Sequence, residues 1–245
     1  MIYNYFIELR RNLLEFYHYK VNILFANIGF LLLFLGLINH IDQETNITLI
    51  LLFTWYCSIH GLDSTAYILE DEIKDRTLFN TLSGSVPLLN ILFMRNSVQL
   101  IIDLLKATII FGSIMLTNTV VFDLSISQAL IAIFLVLLSI IITYLIGISI
   151  GSFALVYKRV SSIPSVLYYV MLFFSGIVND YFVISKIFPF VFLRNALASL
   201  INKDYALGES IFFLFIQLII YLVLALIFMK MNLKKMYLKG KIAHV

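Results

Sequence analysis

Glu70-Asp71-Glu72-Ile73-Lys74-Asp75-Arg76-Thr77-Leu78-Phe79 is a charged, helix-patterned stretch in a chain otherwise dominated by hydrocarbon. Of the 245 residues 62% are hydrophobic, against ~45–50% in a soluble domain, and the mean hydropathy is +1.00. A charged amphipathic segment between apolar runs belongs at the membrane face, within reach of a soluble partner. The stretch from Thr77 to Ser85 is rich in small polar residues, and Gly84 and Pro87 break the pattern. Ile73, Leu78, Leu82, Val86, Leu89 and Leu92 form an apolar stripe that a plain solvated loop has no need of. The spacing predicts a helix, a tight turn and a second short helix running into the next apolar run.

A spanning helix needs ~20 apolar residues. Six segments meet that length on either side of the charged stretch: Asn22–Asn39, Ile47–Leu69, Ser97–Phe122, Ser127–Tyr157, Ile163–Phe182 and Ser210–Met231. Alternating-polarity strands of the membrane β-barrel kind are absent. The expected fold is all-α and integral to the membrane, with 1–245 as one transmembrane domain. The single cysteine, Cys57, lies in an apolar run, which excludes a disulfide framework or a cysteine-based zinc site. No signal peptide is evident before Asn22.

Arginine and lysine mark the cytoplasmic side of a membrane protein. Arg10, Arg11, Lys20, Lys74, Arg76, Arg95, Lys158, Arg159, Lys230, Lys234, Lys235, Lys239 and Lys241, thirteen of the seventeen basic residues, fall on one side of the six-span plan. The other side holds only Lys186, Arg194 and Lys203, and Lys106 lies inside a span. Both termini are therefore expected to be cytoplasmic.

Residues 1–20 read as an interfacial elbow helix bracing the first span, with Phe6, Leu9, Leu13, Phe16 and Tyr17 at steps of three and four. His60 and Asp63 share a helix face, and the pattern predicts a packing pair near the inner end of the second span. Asp103 and Lys106 stand one turn apart inside the third span. Ionisable groups in a membrane raise a functional hypothesis, but this pair can neutralise itself or snorkel. Gly147-Ile148-Ser149-Ile150-Gly151 offers a small face for close helix packing. The apolar but broken stretch Ser185–Leu207, with Phe188, Pro189, Phe190 and Phe192, is too short for a span and predicts short helices dipping into the outer leaflet. The tail, 232–245, is basic with apolar interleaving, which suits anionic lipid rather than nucleic acid.

Much chemistry is missing from the sequence. There is no phosphate-binding loop and no His-Glu-x-x-His. Asp71-Glu72-x-x-x-Arg76 has the outline of the Glu-Glu-x-x-x-Arg of CAAX-type intramembrane proteases, but after His60 only His244 remains to serve as a ligand. The sequence points away from an enzyme.

This order of elements resembles the ABC-2 type permease family, the membrane subunits of ABC exporters. The local likeness lies in Glu72, Thr77, Leu78 and Leu82, followed by Ser85-Val86-Pro87. Arg76 stands where the family commonly has glycine, Phe79 where it has glutamate, and Val86 separates Ser85 from Pro87. The resemblance implies a coupling helix near 70–82, with Glu70, Glu72, Arg76, Thr77, Leu78 and Leu82 contacting separate ABC ATPase subunits. Those subunits, not this chain, would hold ATP and magnesium. It also implies an outer gate at 186–203 that includes Phe188, Pro189, Phe190 and Phe192. A path shared with a second permease subunit would be lined by Trp55, Tyr56, His60, Tyr168, Phe173 and Phe174. The expected activity is export by alternating access across the cell membrane. The aromatic, apolar path residues suit an amphipathic or hydrophobic cargo, a peptide or toxin before a lipid-linked molecule or drug. The competing reading is an ion-coupled transporter or channel that uses Asp103 and Lys106, with Asp63 as the third intramembrane charge. An uptake permease with a shared coupling subunit is a further reading.

Overall fold

A computed structural model describes residues 2–40, 45–84, 86–118, 125–173, 186–202 and 207–238. Every regular element among them is helical: α1 (Ile2–His18), α2 (Lys20–His40), α3 (Thr45–Lys74), α4 (Leu78–Ser83), α5 (Leu88–Asn118), α6 (Ile126–Gly151), α7 (Ala154–Tyr157), α8 (Ser162–Phe173), α9 (Pro189–Asn202) and α10 (Leu207–Leu238).

Four stretches are long and apolar enough to cross a membrane: Asn46–Lys74, Leu88–Met115, Ile126–Tyr157 and Leu207–Leu238. They coincide with four of the six expected spans. The described apolar parts of the other two, Leu24–Leu37 and Ser162–Phe173, are shorter, and residues 174–182 of the expected fifth span lie outside the described residues. Among the described residues the chain is all-helical, with four helices long and apolar enough to cross a membrane.

The sheath around α3 explains the order of packing. Its apolar window is 72% buried, whereas that of α10 is 17% buried, so α3 is the core helix and α10 turns most of its surface outward. Close approach of α3 and α6 depends on glycine. A Cβ on Gly147 would lie 2.0 Å from the carbonyl oxygen of Gly61, and one on Gly151 would lie 2.7 Å from the backbone nitrogen of Ala66. The small-residue face read from the sequence therefore packs within this chain. Nearby, Asn232 of α10 donates to the Ser152 hydroxyl at 2.9 Å, just past the end of α6. On the far flank Phe30 and Phe34 of α2 meet Trp55 and Tyr56 of α3 edge-on, with Phe34 against Phe111 of α5 at 5.1 Å.

The charged stretch is divided differently from the expectation. Glu70–Lys74 is the last turn and a half of α3 and not the start of a separate helix. Glutamate and lysine are good helix formers, so nothing stops α3 before Lys74. The stop is Arg76, which takes the left-handed conformation at φ 59°. Then α4 forms a single short helix, and the second short helix of the expectation is the beginning of α5. The basic tail likewise continues α10 as far as Leu238, with Asn232 and Met236 buried.

Candidate functional site

A polar cleft of about 690 Å³ opens between α1, the charged end of α3, α4 and the first turns of α5. Its volume is within the ~300–1,000 Å³ usual for ligand sites. A second hollow of similar size, lined by Leu49, Phe53, Leu104, Phe111 and Met115 among others, is apolar and fits the hydrocarbon flank of a span.

The cleft is built by helical spacing. His60, Asp63, Tyr67 and Asp71 follow one another on α3 at steps of three or four, and Asp75 lies one step further on, so all share one face. Across the cleft, Arg95 of α5 donates through Nε to Glu8 of α1 at 3.1 Å and through Nη1 to Glu72 of α3 at 2.5 Å. One guanidinium thus ties three helices together. Beside it, Ser64 donates to Asn96 Oδ1 at 2.7 Å and Asn96 donates to Thr65 Oγ1 at 2.9 Å.

At its inner end the cleft reaches His60, whose Nε2 is 4.0 Å from Asp103. Asp103 is fully buried and well supplied with donors. Lys106 lies at 3.2 Å, Gln99 at 3.0 and 3.2 Å, and the Tyr144 hydroxyl at 3.4 Å. A buried carboxylate so fully satisfied acts as a strut between α3, α5 and α6.

No protein-family model matches this chain, and no curated protein matches it.

The residues expected to contact an ATPase fall into two groups. Glu70, Glu72 and Leu78 face the protein. Glu70 accepts the N–H groups of Val160 and Ser161 and the Ser161 hydroxyl, Glu72 accepts from Arg95, and Leu78 is 2% exposed. Arg76 and Thr77 are exposed and Leu82 is half-buried. Phe79 is exposed beside them.

Of the described path residues, only His60 lines the cleft. Trp55 and Tyr56 are buried, the first donating to the Tyr168 carbonyl at 3.0 Å and the second to Asn27 Oδ1 at 2.7 Å. Tyr168 is half-buried, Phe173 is exposed, and Phe174 lies outside the described residues. Asp63 lines the cleft, whereas Asp103 and Lys106 pair with each other as their spacing predicts.

Within the expected outer gate the described residues form one α-helix, α9. Pro189 is its first residue, where a missing N–H costs nothing. Phe188 and Phe190 are buried, and Phe192 stacks on Phe213 at 5.1 Å. Gln217 donates to the Lys186 carbonyl at 2.8 Å and Tyr221 to that of Ile187 at 2.7 Å, fixing the entry to α9 on α10.

Glu8, Asn12, Arg95 and Gln99 were not among the residues singled out from the sequence. Arg95 counted there only as a charge. Its place eight residues into α5, followed by an apolar run, was the available signal.

Proposed function

We propose that this chain is the membrane-spanning subunit of an ATP-driven exporter in the cell membrane. In this reading two such subunits assemble with two separate ABC ATPases and move an amphipathic or hydrophobic cargo, a peptide or toxin before other classes. The observation that carries the reading is the connector between α3 and α5. A left-handed turn at Arg76 presents α4, whose Phe79 is 57% exposed beyond the end of a core helix. An exposed aromatic side chain on a short element at the membrane face suits the groove of a soluble partner.

The same connector is wired to the rest of the bundle. Leu78 packs in one buried cluster with Leu69, Leu88, Leu145, Leu155 and Met229. Glu70 holds the backbone that leads into α8. A push on α4 would be felt by α6, α8 and α10 together, as a rigid-body change between inward- and outward-open forms demands. The charge distribution supports six spans with both termini cytoplasmic, so that α4 and the cleft face the ATPases. The packing supports neither Glu70 nor Glu72 as a direct ATPase contact, and the docking surface shifts to Arg76, Thr77, Phe79 and Leu82. The saturated surroundings of Asp103 weigh against the ion-coupled alternative.

The test is co-purification in detergent with candidate ABC ATPases from the same cell, followed by ATP hydrolysis in lipid. A stable complex, weakened by Phe79→Ala at unchanged thermal stability, is the expected result. Absence of a complex would overturn the reading.

A further inference from the structure

We infer that the polar cleft is a binding site for an organic cation, the ammonium or guanidinium group of an amphipathic ligand. Calling that ligand the cargo rests on the exporter reading; the binding itself does not.

The charge balance comes first. Glu8, Asp63, Asp71, Glu72 and Asp75 line the cleft, against Arg11 and Arg95. Arg95 is engaged by Glu8 and Glu72, and Arg11 stands 3.7 Å from Glu8. Asp63, Asp71 and Asp75 make no salt bridge among the described residues, and all three line the cleft, the first two from α3 and Asp75 from the turn just past its end. A wall of one sign in a confined space concentrates the opposite charge.

The second observation is at the cleft wall. Glu72 is 7% exposed, and while one carboxylate oxygen is held by Arg95, its Oε2 has no hydrogen-bond partner among the described residues. A buried carboxylate oxygen left without a donor is costly, and a small shift of the wall would bring this enclosed oxygen within reach of an incoming N–H donor.

The third observation sets the kind of cation. Tyr67 lies between Asp63 and Asp71 on the same face and is 45% exposed. A carboxylate–aromatic–carboxylate ladder suits an alkylammonium or guanidinium, which can lie over a ring face while its N–H groups reach the carboxylates. A metal ion has no such use for the ring. Among the described residues, moreover, no group of three or more His, Cys, Asp or Glu side chains is placed to hold one. From Asp71 to His60 the ladder runs roughly 16 Å along α3, long enough for several side chains of a basic peptide.

The experiment uses the whole chain in nanodiscs of zwitterionic phosphatidylcholine, without ATPase. The probe is a fluorescent tetralysine peptide bearing a dodecanoyl chain, and the control is the same peptide with every lysine acetylated. The charged probe is expected to bind about tenfold more tightly than the acetylated one, and Asp63→Asn/Asp71→Asn/Asp75→Asn to erase that difference. Tyr67→Leu is expected to weaken the charged probe about threefold, with Tyr67→Phe retaining it. Folding of each variant is checked by the temperature at which buried Cys57 becomes reactive to a thiol dye. Equal binding of the two probes, or undiminished selectivity in a folded triple variant, would overturn the inference, as would displacement of the probe by millimolar magnesium at constant ionic strength. Probe binding without any ATPase complex would sustain the cleft and sink the exporter reading, whereas the reverse would sink the cleft alone.

Discussion

Glu70 and Ser161 are joined twice: the Glu70 carboxylate accepts the Ser161 backbone N–H at 2.6 Å and its hydroxyl at 2.9 Å. The Val160 N–H also donates to the same carboxylate. The last turn of α3 therefore caps the backbone that enters α8, ninety residues further along the chain. Charge-assisted bonds to otherwise orphaned N–H groups are the stronger kind.

Replacing that carboxylate should separate the two elements. Glu70→Ala is expected to destabilise the fold by about 2 kcal/mol, through three lost bonds and two N–H groups left to find water. Glu70→Gln keeps an acceptor oxygen and should cost less. The lone cysteine, Cys57, is 1% exposed, so thiol-dye labelling during a thermal ramp reads both variants directly. Equal transition temperatures for wild type and Glu70→Ala would refute the clasp.

The Arg95 bridge makes a sharper prediction. Its side chain is 19% exposed, with Glu72 at 9% and Glu8 at 13%. Arg95→Ala leaves Glu72 buried and unpaired, the situation that costs ~3–5 kcal/mol. Arg95→Ala/Glu72→Gln removes the stranded charge and should recover much of the loss. If the double variant is no more stable than the single, burial of Glu72 is not the cause. Loosening of α1 in Arg95→Ala, seen as faster proteolysis after Arg10 and Arg11, would report the broken tie to Glu8.

How far all this was legible in the sequence depends on the distance between partners. The long helices stood out because a run such as Ile126–Tyr157, of mean hydropathy 3.0, has no other stable setting. Asp103 with Lys106, and Gly147 with Gly151, lie within one or two turns, so helical geometry alone puts each pair on one face. The Arg95 bridge joins residues 87 and 23 positions apart, and nothing local announces it. Trp55 and Tyr56 show the other limit. In a helix apolar on every side, periodicity does not tell a core face from a path face. They went to a path by likeness, whereas hydrogen bonds to Tyr168 and Asn27 hold them in the core. The continuation of α3 to Lys74 was missed because its charged residues were read as a change of element, although they carry good helix propensity.

The contact between Gly61 and Gly147 leaves no room for a methyl group. Gly147→Ala places a Cβ 2.0 Å from a backbone carbonyl oxygen, which no rotamer change relieves. The helices must move apart, at a cost of about 1–3 kcal/mol. Gly112→Ala, on α5, meets nothing within 4 Å and should be neutral or slightly stabilising, since alanine is the better helix former. An unaltered melting temperature in Gly147→Ala would mean that α3 and α6 are not packed this way.

Leu78 and Phe79 are neighbours with opposite surroundings, and their variants should part company. Leu78 is 2% exposed and Phe79 is 57% exposed. Leu78→Ala opens a cavity in the cluster beneath α4 and should cost ~2–5 kcal/mol, lowering the Cys57 labelling temperature whether or not a partner exists. Phe79→Ala removes a mostly exposed side chain, so its unfolding should stay within ~0.5 kcal/mol of wild type. If α4 docks into an ATPase, a desolvated aromatic of this kind can account for ~2 kcal/mol or more of the association, roughly a thirtyfold loss of affinity in Phe79→Ala. Titrating the purified ATPase against both variants in detergent separates the two effects. A Phe79→Ala chain that is fully stable and still captures the ATPase with wild-type affinity would move the docking surface away from α4, because no other large apolar side chain on that helix is exposed.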